Sequence, residues 1–290
     1  TEPIVNLSTF YNEVLVAMAA AERVFDLLDT EPTVVNASEA YELPPVEGRV
    51  EFEDVYFGYE PGKPVFNGMS LSVEPGETIA LVGETGAGKT TIVNLLTRFY
   101  DIQGGRILLD GHDIGKVTLE SLRAQVGVMM QDPFVFAGTI SENIRYGRLS
   151  ASDDEIRWAA EAVHADDFIA SMPEGYGTEA HERGSRLSVG QRQLIAFART
   201  LLYDPRILIL DEATASVDTQ TERLLQQAID RVLAGRTAFV VAHRLSTIRN
   251  ADRIFVIDEG RVIQSGSHEA LIHAPGKYRE LHESQFVATW

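Results

Sequence analysis

Residues 83–90, Gly-Glu-Thr-Gly-Ala-Gly-Lys-Thr, fit the pattern G-x-x-x-x-G-K-[ST] in full. An apolar stretch precedes them and a helix-like stretch follows, which is the context that this phosphate-binding motif requires. Lys89 is expected to reach the β- and γ-phosphates of a nucleotide, and the Thr90 hydroxyl is expected to bind Mg²⁺. The residues predicted to contact the nucleotide in this loop are Gly83, Glu84, Thr85, Gly86, Ala87, Gly88, Lys89, Thr90 and Thr91.

Two acids follow a strongly apolar stretch at residues 207–210. In α/β sheets, ligands gather at the carboxyl ends of the strands. Asp211 is expected to help hold Mg²⁺, directly or through a water, and Glu212 to act as general base on the attacking water. Solvated acids at a strand end are the plainer interpretation, but a phosphate-binding loop upstream favours a hydrolytic pair.

These residues need a sheet to position them, and the chain predicts an α/β fold with a largely parallel sheet. Apolar stretches alternate with helical ones, which is typical of parallel sheets. They lie at residues 106–109, 127–130, 207–210, 238–241 and 254–257. The strand signals up to residue 82, at 70–73 and 78–82, have no helices between them and are expected to form an antiparallel piece.

Residues 1–30 are predicted to form one helix. Apolar residues recur there at alternating spacings of four and three, at Leu7, Tyr11, Val14, Met18, Ala21, Phe25 and Leu28. Such a stripe fits an amphipathic helix packed on its own domain as well as a helix continuing from something upstream. No uninterrupted apolar run approaches the roughly 20 residues of a membrane helix. Residues 31–48 are rich in proline and are predicted to be a linker.

Composition excludes several classes of function. The chain has 290 residues, a formal net charge of −18 and no cysteine. Disulfides, cysteine zinc sites and thiol catalysis are therefore absent, and a surface this acidic disfavours nucleic-acid binding. The chain begins with Thr1, so we expect a fragment or a processed product.

Residues 187–191, Leu-Ser-Val-Gly-Gln, resemble the LSGGQ signature of ATP-binding cassette (ABC) ATPases, with Val189 in place of one glycine. The family resemblance assigns roles to further positions: Gln131 as the Q-loop glutamine, residues 215–218 as the D-loop, His243 as the switch histidine and Tyr59 as the aromatic that stacks on adenine.

Two stretches are similar to exporter members of the ABC family. Residues 136–144 are similar to a typical exporter segment, and residues 178–184 resemble the X-loop that is thought to signal to the membrane helices. Ala180 and His181 depart from the valine and glycine usual in that loop. The resemblance covers roughly residues 49–285. It implies a RecA-like core, an antiparallel β subdomain, a helical subdomain carrying the signature, and a nucleotide-binding domain over residues 49–290.

The resemblance also implies a mechanism. Two such domains pair head to tail, and each ATP lies between the phosphate loop of one and the signature of the other. Ser188, Gly190 and Gln191 then contact the nucleotide in trans. Lys89, Gln131, Glu212 and His243 are the implied catalytic residues, and Thr90, Gln131 and Asp211 the implied Mg²⁺ site. The implied partners are a second such domain and the transmembrane domain of the same transporter, at the cytoplasmic face of a membrane.

Val189 raises the hypothesis of a heterodimer with one weakened ATP site, because valine lacks the backbone freedom of glycine and adds bulk.

Residues 1–30 are expected to continue from the last membrane helix. Three other classes of protein fit the sequence less well. A soluble ABC ATPase of DNA repair carries a coiled coil, for which the 97 residues between Lys89 and Leu187 leave no room. An importer cassette does not fit the exporter-like segments. A non-hydrolysing regulatory module does not fit Glu212 and His243.

Overall fold

The computed structural model describes residues 2–130, 132–211, 219–241 and 245–284. The predicted roles of Gln131, Glu212, His243 and residues 215–218 therefore concern positions outside the described residues. The chain divides into two compact units, Thr1–Val35 and Asn36–Trp290.

The first unit contains the predicted N-terminal helix, α1 (Glu2–Leu28), in which no residue is buried. This helix is long and apolar enough to cross a membrane. Glu13 and Glu22 keep its uninterrupted apolar runs short, as the sequence shows, but an average over a longer window tolerates single acids. Signal sequences and core helices share this composition, and the helix alone does not establish a membrane span.

The second unit is built on two sheets. A four-stranded antiparallel sheet has the order β2-β1-β4-β5, and a six-stranded sheet has the order β10-β9-β3-β8-β7-β6. The strands of the antiparallel sheet are β1 (Val50–Phe57), β2 (Phe66–Val73), β4 (Gly104–Leu109) and β5 (His112–Asp113). Those of the larger sheet are β3 (Thr78–Val82), β6 (Val126–Met129), β7 (Ile207–Asp211), β8 (Thr237–Val241), β9 (Arg253–Asp258) and β10 (Arg261–Gly266). All pairings in the larger sheet are parallel except that of β9 with β10.

The predicted α/β fold is confirmed, but two of the predicted strands lie in a different sheet from the one expected. The stretch at residues 106–109 lies in β4, which pairs antiparallel with β1. The stretch at residues 78–82 is β3, which lies between β8 and β9 in the parallel part of the larger sheet. Apolar content marks a buried strand without marking its partner, so the sequence pattern could not assign the sheet.

The larger sheet lies between two hydrophobic layers because successive side chains of a strand point to opposite faces. Ile207 and Ile209 of β7 join the cluster formed with β1, β2, β4 and α2 (Lys89–Leu96). Leu208 and Leu210 join the cluster formed with the helices on the other face. Apolar packing on both faces of the sheet thus fixes the position of the strand ends.

The helices of the second unit follow clear local signals. Among the helix starts that the structure describes, three carry a capping box: α4 (Ile140–Arg145), α5 (Asp153–Ala162) and α7 (Val189–Tyr203). In each, the N-cap hydroxyl and the side chain three residues later satisfy amide groups that have no partner within the helix. Helices α4 and α5 pack on α7. The other helices are α3 (Leu119–Gln125), α6 (Asp166–Ala170), α8 (Thr219–Leu233), α9 (Leu245–Asn250), α10 (His268–His273) and α11 (Lys277–His282).

Residues 36–48, which were predicted to lie in a linker, are fastened to the second unit. The Asp110 carboxylate accepts hydrogen bonds from the amides of Gly48 and Arg49, at 3.1 and 2.6 Å. The Asn36 side-chain oxygen accepts from the amide of Leu119 at 2.7 Å. This segment is therefore held against the second unit by hydrogen bonds near both of its ends.

Candidate functional site

The phosphate-binding loop connects the end of β3 to the start of α2, as predicted. Gly88 caps α2 with a φ of 109°, a left-handed conformation that favours glycine. A Cβ added at Gly88 would lie 2.7 Å from Cε1 of Phe66, and one added at Gly83 would lie 2.3 Å from the carbonyl oxygen of Ile257. The loop thus packs so closely against β2 and β9 that a side chain at either glycine would clash.

Lys89 lies folded over this loop. Its ammonium donates hydrogen bonds to the carbonyl oxygens of Gly83 and Glu84, at 2.8 and 2.9 Å. Partial burial lowers the pKa of Lys89, and the charge of Asp211 partly offsets that effect. A half-desolvated ammonium beside a helix N-terminus attracts phosphate more strongly than a solvated one would. The phosphate loop and the carboxyl end of β7 therefore lie close enough for their charges to interact.

The strand order explains how these two motifs meet. Strands β3, β8, β7 and β6 are parallel neighbours, so their carboxyl ends lie at one edge of the sheet. The described strands β6, β7 and β8 end at Met129, Asp211 and Val241. The predicted catalytic residues Gln131, Glu212 and His243 follow these strand ends in the sequence within two residues, outside the described residues.

Tyr59 is anchored to the helix that follows the phosphate loop. Its hydroxyl donates to Oγ1 of Thr91 at 3.2 Å and accepts from Nδ2 of Asn94 at 2.9 Å. Its ring packs edge-on against Phe57 and Tyr100, with centroids 4.9 and 5.0 Å apart. The residue is 45% exposed, so solvent reaches part of this side chain beside the loop.

This arrangement gives different surroundings to the two adjacent threonines at the start of α2. Thr90 is exposed, whereas Thr91 is buried and its hydroxyl contacts Tyr59 instead of the loop surface. Thr91 is thus placed to support the aromatic side chain. The sequence interpretation missed Asn94, although its position one helical turn beyond Thr90 and Thr91 was a usable signal.

The signature residues form the start of α7. The Ser188 hydroxyl accepts from the amide of Gln191 at 3.2 Å, and Oε1 of Gln191 accepts from the amide of Ser188 at 2.9 Å. A Cβ added at Gly190 would lie 2.4 Å from Cγ2 of Thr221 in α8. Among the described residues, no hydrogen bond or ion pair joins residues 187–191 to residues 83–91 of the same chain.

Val189 is the first residue of α7 and is not among the described residues with positive φ. The expectation that valine suffers there from a lack of backbone freedom is therefore wrong, because helical backbone suits any L-residue. Its side chain is partly exposed. Of the two predicted effects of the valine, only its added bulk at the protein surface remains.

The two exporter-like stretches contact each other. The amide of Ile140 donates to the Thr178 carbonyl at 3.0 Å, and the amide of Ala180 donates to the Gly138 carbonyl at 2.9 Å. Next to this bridge, His181 has a φ of 57° and a ψ of 178°. That conformation is populated almost only by glycine, and other residues are strained in it. Glycine is also what the family resemblance implies at this position.

Replacing His181 by glycine is expected to raise the free energy of unfolding by about 1 kcal/mol relative to His181→Ala, because alanine keeps the strained Cβ and glycine removes it. Denaturant unfolding of both variants measures the difference. The alanine variant controls for loss of the imidazole, and equal stability of the two variants would contradict the strain at residue 181.

The fold and the site define a P-loop nucleotide-binding protein: a mostly parallel sheet carries a glycine-rich loop and a carboxylate at one edge. The model of the family described as ABC transporter matches residues 66–215, just over half of the chain. The chain belongs to the ABC transporter family, and the matched segment is its ATP-binding ATPase domain.

Relatives and a solved structure agree with this. An uncharacterized ABC transporter ATP-binding protein of Bacillus subtilis is 52% identical over 285 residues, 98% of this chain and 47% of the relative. A fatty acid ABC transporter ATP-binding/permease protein of Mycobacterium bovis is 51% identical over 96% of this chain and 44% of its own length. A bacterial Atm1-family ABC exporter with ATP bound superposes with a TM-score of 0.85 at 44% identity, covering 95% of this chain and 48% of that one. The chain thus spans about half the length of these proteins.

Proposed function

We propose that the chain is the motor domain of an ABC exporter, in which ATP-driven pairing of two such domains and ATP hydrolysis are coupled to export across a membrane. The observation that carries the proposal is the joint position of Lys89 and Asp211 at the carboxyl edge of the parallel sheet. The relatives and the similar structure support the exporter class, since the relatives are named as transporters and the solved structure is that of an exporter.

The site residues would act in sequence on the triphosphate. The amides at the start of α2 and the Lys89 ammonium bind its phosphates, and the aromatic face of Tyr59 receives the adenine. Thr90 and Asp211 offer the hard oxygen ligands that suit Mg²⁺, and the ion would neutralise phosphate charge when bound. Glu212 would take a proton from the attacking water, with His243 and Gln131 orienting the reacting groups.

A second copy would complete the site. Within the described chain the signature makes no bond to the phosphate loop, while the start of the 15-residue helix α7 presents amides suited to an anion. We infer that Ser188, Gly190 and Gln191 contact the nucleotide held by a partner domain. ATP then joins two chains, and hydrolysis separates them, which would move attached membrane helices.

We propose that α1 continues from the last helix of an attached membrane domain. The ATP-binding domain would then lie on the cytoplasmic face of the membrane. Two alternatives stay open. The chain could serve a soluble ATPase that is not coupled to transport, or one subunit of a heterodimer in which Val189 weakens one ATP site. Both keep the same chemistry at the phosphate loop and differ in what the chain pairs with.

ATP hydrolysis by the purified chain is expected to rise faster than linearly with chain concentration, because each active site needs two chains. Steady-state phosphate release across a concentration series measures this, with Glu212→Gln as the inactive control. A near-zero rate at every concentration, with ATP still bound, would contradict the homodimer and point to a partner with a different signature.

A further inference from the structure

The phosphate loop carries an acid that its function does not require. Glu84 is the second residue of the loop, and its carboxylate has the same sign of charge as the triphosphate proposed to bind there. Its carboxylate is 2.7 Å from the ammonium of Lys277, the first residue of α11. The sequence motif includes Glu84 but says nothing of Lys277, which lies far along the chain.

Lys277 is held in place by its neighbours. The amide of Tyr278 donates to Oε1 of Gln264 at 2.9 Å, and the Tyr278 hydroxyl lies 2.7 Å from Nδ1 of His268. The Tyr278 ring is 1% exposed. The backbone of Lys277 is thereby fixed beside the loop, so the ion pair costs less ordering of the chain than one between two mobile side chains. The Lys277 side chain is 29% exposed, against 76% for Lys63 in its pair with Glu60.

Glu84 also contacts Lys89, the proposed catalytic lysine. The carbonyl oxygen of Glu84 accepts from the Lys89 ammonium at 2.9 Å, while the Glu84 carboxylate contacts Lys277. The hydrogen bond and charge of Lys277 lower the pKa of Glu84, and Glu84 raises the pKa of Lys277. Both groups therefore stay charged at neutral pH, and the carboxylate beside the phosphate site is neutralised by a cation from α11.

We propose that Lys277 is a positioning residue for nucleotide binding: its ion pair with Glu84 cancels the repulsion between that carboxylate and phosphate and holds the first turn of the loop. The proposal rests on the proposed nucleotide site and adds to it a contact from the C-terminal helices. Lys277 would act through Glu84 and not on the nucleotide itself.

Calorimetric titration of the full chain with ADP and Mg²⁺ tests this, because ADP binding needs neither hydrolysis nor transport. Lys277→Gln is expected to raise the Kd for ADP by about two- to fivefold, the range of an exposed ion pair. Lys277→Arg should retain the wild-type Kd. The increase should shrink at about 0.5 M salt, where exposed charges are screened.

Two further variants distinguish positioning from a general structural role. In a Glu84→Gln background, Lys277→Gln should cause no further rise in the Kd, since it leaves no unpaired carboxylate behind. Arg279→Gln, which breaks the Arg279–Glu283 pair on the same helix, should leave it unchanged. Thermal unfolding of each variant monitors folding.

Three results would overturn the proposal. The first is an unchanged Kd in Lys277→Gln. The second is an equal loss of affinity from Lys277→Gln with and without Glu84→Gln, which would mean direct contact with the nucleotide or loss of folding. The third is absence of ADP binding by the wild-type chain, which would overturn the nucleotide site as well, so failure of the function and failure of the ion pair are distinguishable.

Discussion

Glu212→Gln is expected to slow ATP hydrolysis by about 10²–10⁴-fold while ATP binding is retained, which is the usual contribution of a general base. Glutamine has nearly the same shape but cannot take a proton from water at neutral pH. Glu212 directly follows Asp211, the last residue of a strand that ends at the same sheet edge as the phosphate loop. Asp211 keeps its charge in the variant, so nucleotide affinity should persist.

Phosphate release under single-turnover conditions, together with the Kd for ATP, measures the two effects separately. Glu269→Gln is a matched control, because it neutralises an exposed glutamate in α10 whose nearest cationic partner, His273, lies 3.9 Å away. Turnover of Glu212→Gln equal to that of the control would refute the assigned base. A parallel loss of ATP binding would instead assign Glu212 to the binding of the nucleotide.

Lys89→Ala is expected to weaken ATP binding by about 10- to 100-fold, the range of one or two charge-assisted hydrogen bonds. Turnover should fall further, by on the order of 10²-fold or more, because charge on the phosphates grows in the transition state. Lys89 is the loop's cation, and its ammonium already lies against two loop carbonyls that a phosphate would compete with.

Lys116→Ala is the control for a change in net charge, since Lys116 is exposed and lies outside the loop. Titration with ATP gives the binding effect, and phosphate release gives the rate. If Lys89→Ala matched Lys116→Ala in both measurements, the phosphate-loop interpretation would fail. If affinity fell but the rate at saturation did not, Lys89 would contribute to binding alone.

Local features of this protein could be predicted from the sequence because a short stretch of chain determines them. The phosphate loop, its lysine and the following helix are one continuous segment, and glycine and helix-terminus chemistry act within it. The acids after residues 207–210 are likewise adjacent to the strand that carries them. The helix starts at Ser188 and at Thr139 also follow from neighbouring residues, since each cap bonds an amide three residues later.

Other features depend on partners that are distant in sequence. Which sheet contains β3 and which contains β4 follows from pairing, and apolar side chains do not specify a partner strand. The burial of Thr91 under Tyr59 and the pairing of Glu84 with Lys277 join segments that no local pattern connects. The sequence by itself thus determined the chemistry of the loop and its acids, because that chemistry is local, whereas the tertiary structure alone decided which side chains support them, because those contacts arise from packing.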